Sequence, residues 1–179
     1  MMTLIPPYCG DEVKSNAERK IFERLKEIHR DGYVLHSLGL PKHQSKVYGE
    51  IDFVVICERG IACLEIIGGR IECRSGQWYF IGRYGTEHKK TEGPFAQAVG
   101  NMFSLKKVMA QQLEKKVWMK DTLFASGVMF PDMRFQAQGQ EMIPEIVFDK
   151  TTEQMENYLD RVFDYWEGRW KGSPRPLSP

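Results

Sequence analysis

The order of apolar and polar positions divides the chain into helical and extended stretches before any single residue is weighed. Ala17, Ile21, Leu25 and Ile28 recur at helical spacing and predict a helix over residues 15–30, with Gly32 placed to stop it. Phe95, Val99, Met102, Leu105, Val108 and Met109 form a second stripe behind Pro94, whose fixed φ suits a first helical turn. Met155, Leu159, Val162 and Trp166 mark a third helix over residues 151–166. Between these lie short apolar runs at 33–37, 50–57, 61–67, 71–73, 77–81, 123–130 and 145–148, each of strand length. The runs 71–73 and 77–81 are joined across Ser75-Gly76, and Pro41-Lys42-His43-Gln44 sits in a polar loop. This mixture predicts an α/β domain, a mixed central β-sheet flanked by helices, with the helix from Pro94 at its centre.

The same pattern sets the boundaries. Residues 1–14 form an N-terminal extension, 15–170 one α/β domain, and 171–179 a Pro-rich tail or linker with too few apolar residues to build a core. A chain of 179 residues that is 42% hydrophobic and 12% aromatic suffices for one ordinary core. A net charge of +1 gives no strong field, so a nucleic-acid partner would be held by a local patch. No apolar run approaches the roughly 18 residues of a membrane span, and residues 1–10 lack the basic start and apolar core of a signal peptide. The expectation is a cytoplasmic protein with no membrane partner. Cys9, Cys57, Cys63 and Cys73 form no Cys-x-x-Cys pair, which argues against a disulfide or zinc scaffold.

Two acidic residues interrupt the apolar strands. Asp52 lies in Gly49-Glu50-Ile51-Asp52-Phe53-Val54-Val55 and Glu65 in Cys63-Leu64-Glu65-Ile66-Ile67-Gly68-Gly69. Asp is depleted in strands, and a buried unpaired carboxylate costs several kcal/mol, so each must meet a cation, a donor or a metal. With a two-residue turn at Glu58-Arg59, Asp52 falls opposite Glu65, the side chains roughly 5 Å apart on one face. A three-residue turn, Glu58-Arg59-Gly60 with a Gly bulge, would put them on opposite faces. In the first register the like charges repel unless a cation sits between them. A hard ion such as Mg²⁺ uses one or two such carboxylates, keeps several waters and binds a substrate phosphate. Glu50 shares that face, either as an auxiliary ligand or as a solvated strand end.

Glu18 on the first helix, Asp52, Glu65 and Gln97 on the second helix follow an order that resembles the PD-(D/E)XK nuclease superfamily over roughly residues 15–130. The surrounding sequence resembles its nuclease-related domain family, the NERD domain. The resemblance implies a restriction-endonuclease-like core in which Glu18, Asp52, Glu65 and Gln97 are catalytic. It implies Mg²⁺ or Mn²⁺ held by Asp52 and Glu65, with Glu18 as a third candidate, and hydrolysis of phosphodiester bonds in DNA, RNA being left open. The family places a lysine where this chain has Ile67. That lysine would stabilise phosphate charge and orient the attacking water; losing one preorganised donor typically costs about a hundred- to a thousand-fold in rate. Lys106, Lys89 and Lys90 are the candidates for a cation moved to another element. Such domains are often joined to helicase or kinase-like modules, which makes one an expected neighbour here, and a homodimer would suit double-strand cutting.

Each assignment has a plainer reading. Ser15-x-x-Glu18 is also a capping box, which would turn the Glu18 side chain back to the helix start. Gln97 and Asn101, one turn apart, also fit an exposed polar face. Lys89, Lys90, Lys106 and Lys107, with Lys115, Lys116, Arg70, Arg74 and Arg83, are either phosphate contacts or solvated charges. Trp78 and Tyr79 suit packing better than base stacking, and His29, His36, His43 and His88 have no metal-ligand spacing. The expected function is a divalent-metal-dependent DNA nuclease domain impaired by Ile67. The alternative is a non-catalytic nucleic-acid or partner-binding module of a larger protein.

Overall fold

The computed structural model describes residues 1–10, 15–40, 49–82, 84–113, 118–136, 139, 141–172 and 174–177. The loop around Pro41-Lys42-His43-Gln44, and Arg83, Lys115 and Lys116, lie outside the described residues.

A six-stranded mixed sheet runs in the order β1 (Met2–Ile5), β2 (Gly32–Leu40), β3 (Gly49–Cys57), β4 (Gly60–Ile66), β8 (Phe124–Phe130) and β9 (Val147–Asp149). A separate three-stranded antiparallel sheet holds β5 (Arg70–Arg74), β6 (Gln77–Ile81) and β7 (Glu87–Lys90). The helices are α1 (Asn16–Lys26), α2 (Pro94–Gln112), the short α3 (Trp118–Asp121) and α4 (Met155–Glu167). β4 and β8 are buried along their whole length, as expected for parallel neighbours covered on both faces. On one face Phe53, Val55, Leu64 and Ala125 join Ile21, Phe22 and Leu25 of α1 and Leu159, Val162 and Phe163 of α4. On the other, Val54, Ile61, Cys63 and Phe124 meet Met102 and Leu105 of α2. This is the restriction-endonuclease-like α/β arrangement expected from the sequence.

Several elements differ from the sequence expectation for tertiary reasons. Helix α1 ends at Lys26, a turn earlier than Gly32 would impose, because the N–H groups of His29 and Arg30 donate to Glu156 Oε1 on α4 at 2.8 and 3.2 Å. Met2–Ile5, within the stretch read as an extension, is a strand pairing in parallel with β2. Glu87–Lys90 is a strand although wholly exposed and without apolar residues, because it completes the ladder of β6. The run 145–148 divides into a 3-10 turn, Pro144–Ile146, and β9. In the tail, the Arg175 N–H donates to Asp121 O and the Leu177 N–H to Glu58 O, both at 2.8 Å.

One glycine decides how closely α4 packs. A Cβ at Gly127 of β8 would lie 2.2 Å from the Tyr158 hydroxyl, which donates to Ile146 O at 3.2 Å. The phenol fills the space a side chain would need.

Candidate active site

Glu58 and Arg59 form the two-residue turn, since Cys57 pairs with Gly60, and the register continues to Phe53 opposite Leu64. The three-residue alternative is thereby excluded. The next positions in this register are Asp52 and Glu65. There the ladder does not continue: the Ile66 N–H donates to the Asp52 side chain, Oδ2, at 2.7 Å. β4 meanwhile stays tied to β8, with Glu65 beside Val128, Ile66 beside Met129, and the Ile67 N–H donating to Met129 O at 2.8 Å. The two carboxylates therefore sit where a side chain replaces a rung of the ladder between β3 and β4.

Glu65 is only 6% exposed. Gln97 Nε2 of α2 donates to its Oε1, and Asn101 Nδ2, one turn later, donates to its Oε2 at 3.1 Å. The polar pair on α2 thus faces the sheet, and Asn101 is itself 3% exposed. These two amide hydrogen bonds compensate the burial of Glu65 in part. They do not cancel it. Burial lifts the Glu65 pKa well above the usual carboxylate range, and the Asp52 charge adds to the rise; Lys90, Asn101 and Gln97 pull it back.

Asp52 is affected in the same direction. Burial raises its pKa to about 7 against the lowering effect of the Ile66 N–H, and the charges of Glu18 and Glu50 raise it further. The neighbouring Cys63 thiol is pushed up by burial and by Glu65. Four carboxylates thus share one electrostatic neighbourhood, two of them held in it by burial.

Glu18 is half of a capping box. Its N–H donates to Ser15 Oγ at 3.3 Å, but its carboxylate is turned to β2, with Oε2 3.5 Å from His36 Nε2. His36 is buried and stacks on Phe53 with ring centroids 4.6 Å apart at 10°. Sequence reasoning assigned His36 no place near the site; its one signal, alternation with Val34 on β2, is shared by any buried strand residue.

Ile67 is 7% exposed and belongs to the larger core cluster with Ala17, Phe95 and Met129. Lys106, a sequence candidate, lies away from the carboxylates: its Nζ sits over Trp170 at 4.7 Å and Phe124 at 5.4 Å, and burial lowers its pKa. Lys107 and Lys89 are exposed. Trp78 is a core residue, 1% exposed, and Tyr79 is covered by Arg74, whose guanidinium carbon is 4.7 Å from the ring centroid.

As to a metal, the donor set offered by Asp52 and Glu65 is all oxygen, which suits a hard divalent ion, and the burial and neighbouring negative charge that raise both pKa values are what a cation would offset. Among the described residues no group of three or more His, Cys, Asp or Glu side chains is arranged to hold an ion. An ion here would therefore rest on Asp52 and Glu65, with water or substrate oxygens completing its shell. No helix among the described residues is long and apolar enough to cross a membrane.

A mixed sheet flanked by helices, with paired carboxylates on adjacent strands and a helix whose amides hold one of them, defines a nuclease-type α/β domain. The family model described as nuclease-related domain, NERD, matches residues 14–130, and the chain belongs to that family. No curated protein and no solved structure matches the chain.

Proposed function

We propose that this domain hydrolyses phosphodiester bonds in DNA with Mg²⁺ or Mn²⁺, at a rate reduced by Ile67. The observation that carries the reading is the Asp52–Glu65 pair: two carboxyl groups held in one buried place by the Ile66 N–H and by the amides of Gln97 and Asn101. A structural role alone gives no reason to keep two carboxylates there, because each raises the other's cost. Asp52 and Glu65 would hold the ion, and Glu18 would act through water. The chemistry a bound divalent ion supplies is charge for the scissile phosphate and acidification of water. Gln97 and Asn101 fix the Glu65 carboxylate, so that little reorganisation is needed when a charged substrate arrives. Aliphatic Ile67 offers neither a donor nor a charge.

The test is cleavage of labelled single- and double-stranded DNA with Mg²⁺ or Mn²⁺ by the unmodified chain, Ile67→Lys and Asp52→Ala. Cleavage that requires Asp52 supports the reading, and a gain in Ile67→Lys assigns the reduction to that position. A second reading, a non-catalytic module that binds nucleic acid or another domain of a longer polypeptide, is favoured by the burial of Ile67 in the core. It predicts DNA binding with no cleavage by any of the three proteins.

A further inference from the structure

We propose that Lys90, at the end of β7, supplies the positive charge at the scissile phosphate that position 67 lacks. The proposal rests on the nuclease reading above.

Strand alternation separates Lys90 from its neighbour. Lys90 pairs with Trp78 and His88 with Phe80, while Lys89 pairs with Tyr79. Trp78 and Phe80 pack on the main core, so Lys90 lies on the inward face of the small sheet and Lys89 on the outward one. The Lys90 side chain follows that face, its Nζ 4.4 Å from the Phe80 ring centroid. Packing then fixes where the inward face meets the carboxylates. The Trp78 ring lies 6.3 Å from that of Phe95, in the first turn of α2, and a Cβ at Gly93 would come within 2.2 Å of the indole nitrogen. Two residues beyond Phe95 is Gln97, which holds Glu65. Trp78 thus ties the strand pair carrying Lys90 to the helical turn that grips the carboxylate.

The electrostatics agree. Lys90 is near enough to Glu65 for the two charges to attract. Two other lysines are engaged elsewhere: Lys106 lies over Trp170 and Phe124, and Lys20 is paired with Asp132. Lys90 is exposed, anchored by one ring contact, and free to swing its four-carbon stem toward a phosphate. In hydrolysis, water adds to phosphorus, the bond from phosphorus to the leaving sugar oxygen breaks, water gives up a proton to solvent, and the leaving oxygen takes one from solvent. Lys90 keeps its proton throughout. Its ammonium donates to a non-bridging oxygen as negative charge concentrates there.

The experiment is single-turnover cleavage of labelled DNA with Mn²⁺ by the unmodified chain, Lys90→Met, Lys90→Arg and Asp52→Ala, with DNA affinity measured in Ca²⁺ and thermal unfolding confirming the fold. Expected is a loss of about a hundred-fold in rate for Lys90→Met and retention to within about tenfold for Lys90→Arg, which keeps the charge but changes its geometry. Affinity should change much less than rate. Unchanged cleavage in Lys90→Met, with cleavage lost in Asp52→Ala, overturns the role of Lys90 and leaves the nuclease reading standing. Affinity falling as far as the rate makes Lys90 a binding contact only and also overturns it. Absence of Asp52-dependent cleavage by the unmodified chain overturns both.

Discussion

The Asp52 carboxylate accepts the backbone N–H of Ile66 at 2.7 Å, and so one side chain takes over a rung that backbone pairing between β3 and β4 leaves open. The bond satisfies the N–H and brings a carboxylate beside Glu65. Burial, with charge repulsion added to it, makes the site responsive to protons and cations.

The stability of the metal-free protein should depend on pH through Asp52. Its pKa is raised in the fold to about 7 from 3.8, so the folded state binds this proton more tightly than the unfolded chain. The associated stability is fully present below about pH 4 and is lost as pH rises through about 7. A shift of that size corresponds to a few kcal/mol at most. Glu65 titrates in the same direction. Urea unfolding in EDTA at pH 5 and pH 8 should show Asp52→Asn gaining on the unmodified protein by at least about 1 kcal/mol at the higher pH. An equal difference at both pH values would mean that Asp52 ionises normally.

Divalent ions should offset that repulsion. At pH 8, Mn²⁺ at about a hundred times its Kd should stabilise the fold by roughly 2.7 kcal/mol, a rise of roughly 5–10 °C in Tm for a domain of this size. Asp52→Asn and Glu65→Gln should each remove most of the rise. A shift that persists in both variants would place the ion elsewhere.

The amides on α2 should be coupled to Glu65. Asn101→Leu leaves a buried carboxylate oxygen short of its donor and should cost about 1–3 kcal/mol in unfolding free energy. In a Glu65→Leu background the same substitution should cost much less. Additive costs in this double-mutant cycle would show that Asn101 stabilises α2 independently of the carboxylate.

Gly127→Ala should destabilise the protein by about 1–3 kcal/mol, because the new methyl group would overlap the Tyr158 hydroxyl. Tyr158→Phe removes that oxygen at the expense of the bond to Ile146 O. The double variant should therefore be more stable than the sum of the single costs implies. Simple additivity in chemical denaturation would mean that α4 shifts instead.

The sequence by itself determined the elements whose signal is local. The hairpin of β3 and β4 followed from apolar runs on either side of a turn, α2 from Pro94 and its stripe, and the carboxylates from their intrusion into strands that otherwise exclude charge. Even the placing of Asp52 and Glu65 at the next positions of the hairpin register needed only the turn length, because side chains alternate strictly along a strand. Tertiary structure decided what depends on distant partners. It ended α1 at Lys26, with Glu156 of α4 accepting the N–H of His29 beyond it, rather than at Gly32, made a strand of the wholly polar Glu87–Lys90, and turned Glu18 away from its capping box toward His36. It also brought Gln97 and Asn101 onto Glu65, which their exposed-looking spacing on α2 did not require. Periodicity reports which face of an element is buried; which residues meet across two buried faces depends on how the elements pack, and no single stretch of sequence contains that.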